Sequence, residues 1–316
     1  MATERTARAE TARKPRFWSA AASAAALPVA PVYGAFLSYF AYHPPRKPYH
    51  RTPADLGLDS TDVRVPLDGG GRRGLHVWLC PGDPERVVVM GHGLGLSKSA
   101  SLTQARLLNE AGYTVALFDH RNHGRSSGDR ACWGMSERHT DDVIAVVRHM
   151  RSLEEYASAR IAVYGFSIST FPSLYMLRKA ADCPVDAVVF DSGPALDLQP
   201  LFRNFVAAGG LPVPGPLRTG VSGRVLGRVF SALATAMLQV SWPPPVSGAY
   251  EDTPMLFLAG DDDRIIPAAG VRALAERYPL AEVHVLAGAG HLAGVKTEPE
   301  TYAETVLGFL RRTLKG

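Results

Sequence analysis

The chain has 316 residues, 46% of them hydrophobic, a length and composition that support one large domain with a sizeable core plus additions. Its three cysteines, Cys80, Cys132 and Cys183, are odd in number and widely spaced, which excludes a disulfide framework and a zinc–cysteine cluster. The net charge of +4 is uneven: residues 1–51 hold eight Lys/Arg against two Glu, giving +6 and leaving −2 for the rest, so the body carries no nucleic-acid-binding charge.

Residues 1–16 read as a basic tail. Residues 17–42 then run for 26 positions without a charged side chain, with Trp18 near one end and Tyr33, Tyr39 and Tyr42 toward the other. That length suffices for a membrane span, and the aromatics and basic flanks resemble interfacial anchors. Against a span stand the many alanines and the helix-interrupting Pro28 and Pro31. Three readings follow: a single N-terminal membrane anchor, which is the expectation taken here; a helix folded onto the body; or a cleaved secretory signal. The expected location is therefore membrane-associated rather than soluble cytoplasmic.

From residue 52 short apolar runs alternate with helical patterns. Residues 62–67 and 75–80 read as an antiparallel hairpin turning at Gly69-Gly70-Gly71. The continuous β-branched run at 86–90 reads as a central strand covered on both faces, and the runs at 114–118, 161–164, 187–190, 255–259 and 283–286 read as further strands. Helical patterns at 101–111, 136–152, 168–181, 268–278 and 299–314 separate most of them. Such alternation predicts a mostly parallel, doubly wound α/β sheet.

The loops after the strands carry the chemistry. Gly91-His92-Gly93-Leu94-Gly95 follows the first central strand. Its glycines allow backbone N–H groups to face a site, so Leu94 N–H is the expected oxyanion donor, with Gly95 second. His92 reads as a loop anchor. Asp119-His120-Arg121-Asn122-His123-Gly124 is polar and suited to tying loops together, and no recognised ligand spacing makes it a metal site. Strand 161–164 leads into Gly165-Phe166-Ser167-Ile168-Ser169 and a helical pattern follows: strand, glycine, serine, small residue, helix is how a nucleophile elbow is built. Ser167 is the expected nucleophile and Ile168 N–H the second oxyanion donor. A literal Gly124-Arg125-Ser126-Ser127-Gly128 and a near-match, Gly95-Leu96-Ser97-Lys98-Ser99, lack that strand–turn–helix context.

Residues 191–250 are too long for a simple connection. Helical, mostly apolar stretches at 201–206 and 225–240 flank a Gly/Pro segment at 209–216, so 194–250 reads as a helical lid inserted into a core of 52–193 and 251–316. Its few charges imply a hydrophobic acyl or alkyl group in the substrate. After the next strand, Gly260-Asp261-Asp262-Asp263 must supply the carboxylate that orients a catalytic histidine. Asp263 is the choice, Asp262 second, and Asp191 a further alternative. Gly288-Ala289-Gly290-His291 follows the last strand and places His291 as general base.

The order Ser167, Asp263, His291, each just past a strand, resembles the α/β-hydrolase fold superfamily of serine hydrolases over residues 53–316. The resemblance rests on His92-Gly93-Leu94-Gly95, Asp119-His120-Arg121-Asn122-His123-Gly124, Gly165-Phe166-Ser167-Ile168-Ser169, Gly260-Asp261-Asp262-Asp263 and Gly290-His291. Ser169 stands where the family has glycine, and Asn122 where glycine is common. Pro53-Ala54-Asp55-Leu56-Gly57-Leu58 looks like members with an N-terminal membrane segment. The resemblance implies an ester or thioester hydrolase working through an acyl-Ser167 intermediate, with no cofactor or metal. Two alternatives remain: an acyltransferase or cyclase using the same triad, and a catalytically silent binding protein.

Overall fold

A computed structural model describes residues 16–67 and 73–315, so the expected glycine turn at 69–71 and most of the basic tail lie outside the described residues. Eight strands form one sheet: β1 (Thr61–Pro66), β2 (Gly74–Cys80), β3 (Asp83–Met90), β4 (Tyr113–Phe118), β5 (Arg160–Phe166), β6 (Ala187–Asp191), β7 (Met255–Gly260) and β8 (Ala281–Leu286). Their spatial order is β1-β2-β4-β3-β5-β6-β7-β8. β1 and β2 pair antiparallel, β2 pairs antiparallel with β4, and every later pair is parallel.

Parallel strands need crossovers, and helices supply them. Eleven helices are described: α1 (Arg16–Ala25), α2 (Ala30–Tyr42), α3 (Leu102–Glu110), α4 (Met135–Ser152), α5 (Thr170–Tyr175), α6 (Leu198–Ala207), α7 (Gly220–Leu238), α8 (Ala249–Asp252), α9 (Ala268–Ala275), α10 (Gly294–Thr297) and α11 (Pro299–Thr313). The β-branched runs of the central strands are buried on both faces. Val87, Val89, Ile161, Val163 and Phe190 pack with α4 and α9, while Val88, Met90, Ala162, Tyr164 and Val189 pack with α3 and α11. The period of two thus divides one sheet between two cores.

Two segments depart from the sequence reading. The helix expected over 168–181 is a short α5 between two 3₁₀ turns, Ser167–Ser169 and Met176–Lys179. The uncharged stretch at 17–42 is not one straight helix: a 3₁₀ turn at Leu27–Val29 breaks it at Pro28. α2 lies along α7. A Cβ on Gly34 would sit 3.0 Å from the Leu226 carbonyl, so the two backbones approach closely because position 34 has no side chain. Ser23 Oγ donates to Thr219 O (2.9 Å), Ser38 Oγ to Phe230 O (3.2 Å) and Tyr42 OH to Ala234 O (2.9 Å). The segment read as a membrane anchor is therefore packed onto the helical insertion between β6 and β7. Among the described residues α7 alone is long and apolar enough to cross a membrane, and its Leu226, Phe230 and Ala234 are fully buried within the fold.

Candidate active site

β5 delivers Ser167 at the carboxyl edge of the sheet. The chain reverses there at φ +50, a left-handed backbone uncommon for a residue with a side chain. His291 arrives from the loop after β8, and its Nε2 is 2.8 Å from Ser167 Oγ. Its Nδ1 is 2.7 Å from Asp263 Oδ2. Three residues far apart in the sequence thus form one hydrogen-bonded line. The His291 side chain retains 15% exposure while that of Asp263 is fully buried.

The geometry separates the four candidate carboxylates. Asp263 faces inward, and its other oxygen accepts from Ile265 N (2.8 Å) and Ile266 N (2.9 Å), which hold it against rotation. Asp262 points to solvent beside Arg264. Asp261 accepts from Gly288 N at 2.6 Å and fastens the loop that carries His291. Asp191 is buried under Tyr302 and Ser192, which donate to it at 2.7 and 2.8 Å. Burial raises its carboxyl above the ordinary value, against the pull of those two donors. Ser192 Oγ in turn accepts from Leu292 N (2.9 Å), so Asp191 supports the histidine loop without touching the imidazole.

Of the two oxyanion candidates in the 91–95 loop, Gly95 N–H is already committed to His123 Nε2 at 3.3 Å. Leu94 N–H donates to no group among the described residues. Ile168 is the second residue of the 3₁₀ turn at the elbow, where first-turn N–H groups have no intrahelical acceptor. Leu94 and Ile168 both border Ser167 in an apolar pocket walled by Phe171, Leu201, Phe202 and Phe205. A cavity of about 440 Å³ continues from it, lined by Ser167, His291, Leu94 and Leu211 and by Phe40, Ala41, Pro44, Pro45 and Lys47. A larger, more polar cleft of about 720 Å³ lies beside α4 and contains none of these catalytic-type residues.

Ser169, where a glycine was expected, is accommodated by its neighbours. Its Oγ meets His120 Nε2 at 2.9 Å. A Cβ on Gly91 would fall 1.9 Å from that oxygen, so a side chain at 169 is matched by the lack of one at 91. His120 Nδ1 lies 3.4 Å from Asp142, whose carboxylate is already bound by Arg121 N (2.9 Å) and Nε (2.8 Å). His92 accepts from His120 N (3.1 Å), as a loop anchor would. Burial lowers His92 to about 4 and both His120 and His123 to about 3, so all three are neutral near pH 7. The literal Gly124–Gly128 motif serves a turn: Ser126 Oγ donates to Asp119 O (2.6 Å) and accepts from His76 N (2.8 Å).

The family model described as "Serine aminopeptidase, S33" matches residues 82–235. A monoacylglycerol lipase of Mycolicibacterium smegmatis is 26% identical over 267 residues, covering 73% of this chain and 89% of the relative. The human protein ABHD12B is 26% identical over 58% of this chain and 48% of its own length. Among solved structures, a Pyrococcus furiosus esterase superposes with a TM-score of 0.66 at 23% identity, over 86% of this chain and 97% of that one. A Rhodococcus hydrolase of 2-hydroxy-6-oxo-6-phenylhexa-2,4-dienoate gives 0.61 at 17% identity, over 80% and 99%. The chain has the α/β-hydrolase fold.

Two features of this fold escaped sequence reasoning. Lys98 is fully buried against Asp119 (2.7 Å), between the rings of Tyr49 and Trp78, with Tyr49 OH also donating to Asp119. Burial lowers the ammonium to about 8. This cluster clamps the chain following α2 to the loop that carries Leu94. A lone lysine in a Gly/Ser-rich loop gives no sign of it. The second is the wall that Phe40, Ala41, Pro44, Pro45 and Lys47 lend to the cavity at Ser167, which no local pattern announces.

Proposed function

We propose that this α/β-hydrolase cleaves a carboxylic ester or thioester with a hydrophobic acyl group, through an acyl-Ser167 intermediate. The observation that carries the reading is His291 bridging Ser167 Oγ and Asp263 Oδ2 at 2.8 and 2.7 Å beside an apolar cavity. His291 Nε2 takes the Ser167 proton as Oγ bonds to the substrate carbonyl carbon. Asp263 holds Nδ1–H and stabilises the imidazolium that forms. The carbonyl oxygen gains charge and is met by the N–H groups of Leu94 and Ile168. His291 returns the proton to the leaving alcohol or thiol, which departs. The same base then activates water, which attacks the acyl-serine and releases the acid.

The insertion between β6 and β7 acts as a lid: Leu201, Phe202 and Phe205 wall the pocket above Ser167 and favour an alkyl chain over a charged group. The names of the relatives, a monoacylglycerol lipase and an esterase, support an ester substrate. The test is a series of p-nitrophenyl esters of increasing acyl length. The reading expects kcat/KM to rise with chain length and to vanish in Ser167→Ala. Equal rates for all lengths would remove the hydrophobic acyl site.

A further inference from the structure

From residue 20 to residue 42 the outward side of α1 and α2 carries no charge and almost no polar group. Leu27, Val29, Val32, Phe36 and Tyr39 are exposed along it, Val32 at 71% and Phe36 at 50%. The exposed residues between them, including Ala24, Ala25, Pro28 and Ala35, are apolar too. In α2 the inward stripe, Ala30, Leu37, Ala41 and Tyr42, is buried on α7, while positions 29, 32, 36 and 39 line up on the opposite face. A helix apolar on both faces needs an apolar medium on each. The body supplies only one.

The charge around this face has one sign. No Asp or Glu occurs from residue 11 to 54 or from 198 to 250. The second stretch forms α6 and α7, and between them lies a cleft of about 580 Å³ containing Arg203, Arg218, Arg224 and Arg228. All four are exposed, and among the described residues none is paired with a carboxylate. The α1–α2 face and this cleft belong to adjoining faces of the same helical layer, because α1 and α2 pack on α7.

We propose that this face docks on an anionic lipid surface. α1 and α2 lie in the plane of the interface with Val32 and Phe36 among the acyl chains, and the α6–α7 arginines meet headgroup phosphates. The pair does not span: α2 is about 20 Å long at 1.5 Å per residue, against a hydrocarbon thickness of about 30 Å, and its inner stripe is committed to α7. The docked face is continuous with the catalytic cavity, since Phe40, Ala41, Pro44, Pro45 and Lys47 follow directly and line the space containing Ser167. Given the proposed esterase activity, an acyl substrate leaves the lipid along the segment that holds the protein there.

The test is co-sedimentation of the full chain with phosphatidylcholine vesicles, with and without phosphatidylglycerol. The full chain is expected in the pellet, more strongly with phosphatidylglycerol. Val32→Glu with Phe36→Glu lowers partitioning by about a hundredfold. Arg224→Glu with Arg228→Glu lowers it by about tenfold, on the phosphatidylglycerol vesicles only. Hydrolysis of a short soluble ester stays at the wild-type rate in both variants and reports an intact fold. If the glutamate pair fails to fold, Val32→Ser with Phe36→Ser replaces it. Equal partitioning of wild type and apolar-face variants overturns the proposal. So does a wild-type dimer that ignores vesicles and becomes monomeric in Val32→Glu/Phe36→Glu, which would assign the face to a second copy. A wild type that docks but cleaves no ester retains the docking and overturns the function instead.

Discussion

Two serine–histidine–aspartate trios begin two residues apart in this chain, and only one stands at an open cavity. Ser167, His291 and Asp263 stand at the cavity. Ser169, His120 and Asp142 have the same residue types and lie behind it. In the first, the aspartate meets only backbone N–H donors and the imidazole, at 2.7 Å. In the second, the aspartate is neutralised by Arg121 and lies 3.4 Å from the imidazole. Ser167 is turned outward at φ +50, whereas Ser169 has helical φ −68 and lies against Gly91, just past the end of β3. Access and an undivided carboxylate, not residue composition, distinguish the proposed nucleophile from the brace.

Mutations break the comparison at different depths. Ser167→Ala, His291→Ala and Asp263→Asn should each lower kcat by about 10³-fold or more with the melting temperature little changed, measured on one activated ester. Ser169→Ala should keep kcat within about threefold. It leaves His120 Nε2 without its partner and costs about 1–3 kcal/mol of stability in urea unfolding.

Gly91→Ala sharpens the contrast, because its Cβ meets the brace and not the nucleophile. It should cost about 1–3 kcal/mol, and Ser169→Gly in the same chain should recover much of that loss. Additive losses would show that the contact is not the cause.

The smallest effect is acid sensitivity of the buried side. Because burial holds His92, His120 and His123 near 4, 3 and 3, the folded state binds fewer protons than the unfolded chain below the ordinary imidazole value of 6.5. Stability is retained above pH 6.5 and declines as pH falls from there toward 4. His139, also buried and lowered by burial, contributes the same way. His139→Phe should give a shallower decline in melting temperature over that range. An unchanged slope would mean that His139 does not titrate with unfolding.

Most of the sheet was legible in the sequence, because β-branched runs between helical patterns leave few other ways to bury both faces. The elbow was legible too, since Ser167 alone had strand before it and helix after it. Choosing among Asp261, Asp262 and Asp263 was harder: adjacent turn residues differ only in direction, and direction comes from the Ile265 and Ile266 amides. The loss of Gly95 as an oxyanion donor depends on His123, 28 residues away, and no local pattern contains that contact. Residues 17–42 are ambiguous for a physical reason. Apolar length signals the need for an apolar neighbour without saying whether that neighbour is α7 or lipid, and here one face meets α7.

The most direct test of the catalytic assignment is labelling with a fluorophosphonate, followed by mass spectrometry of the peptide spanning residues 161–178. We expect the phosphonyl adduct on Ser167, absent in Ser167→Ala and undiminished in Ser169→Ala. An adduct on Ser169, or equal labelling of wild type and Ser167→Ala, would contradict the account.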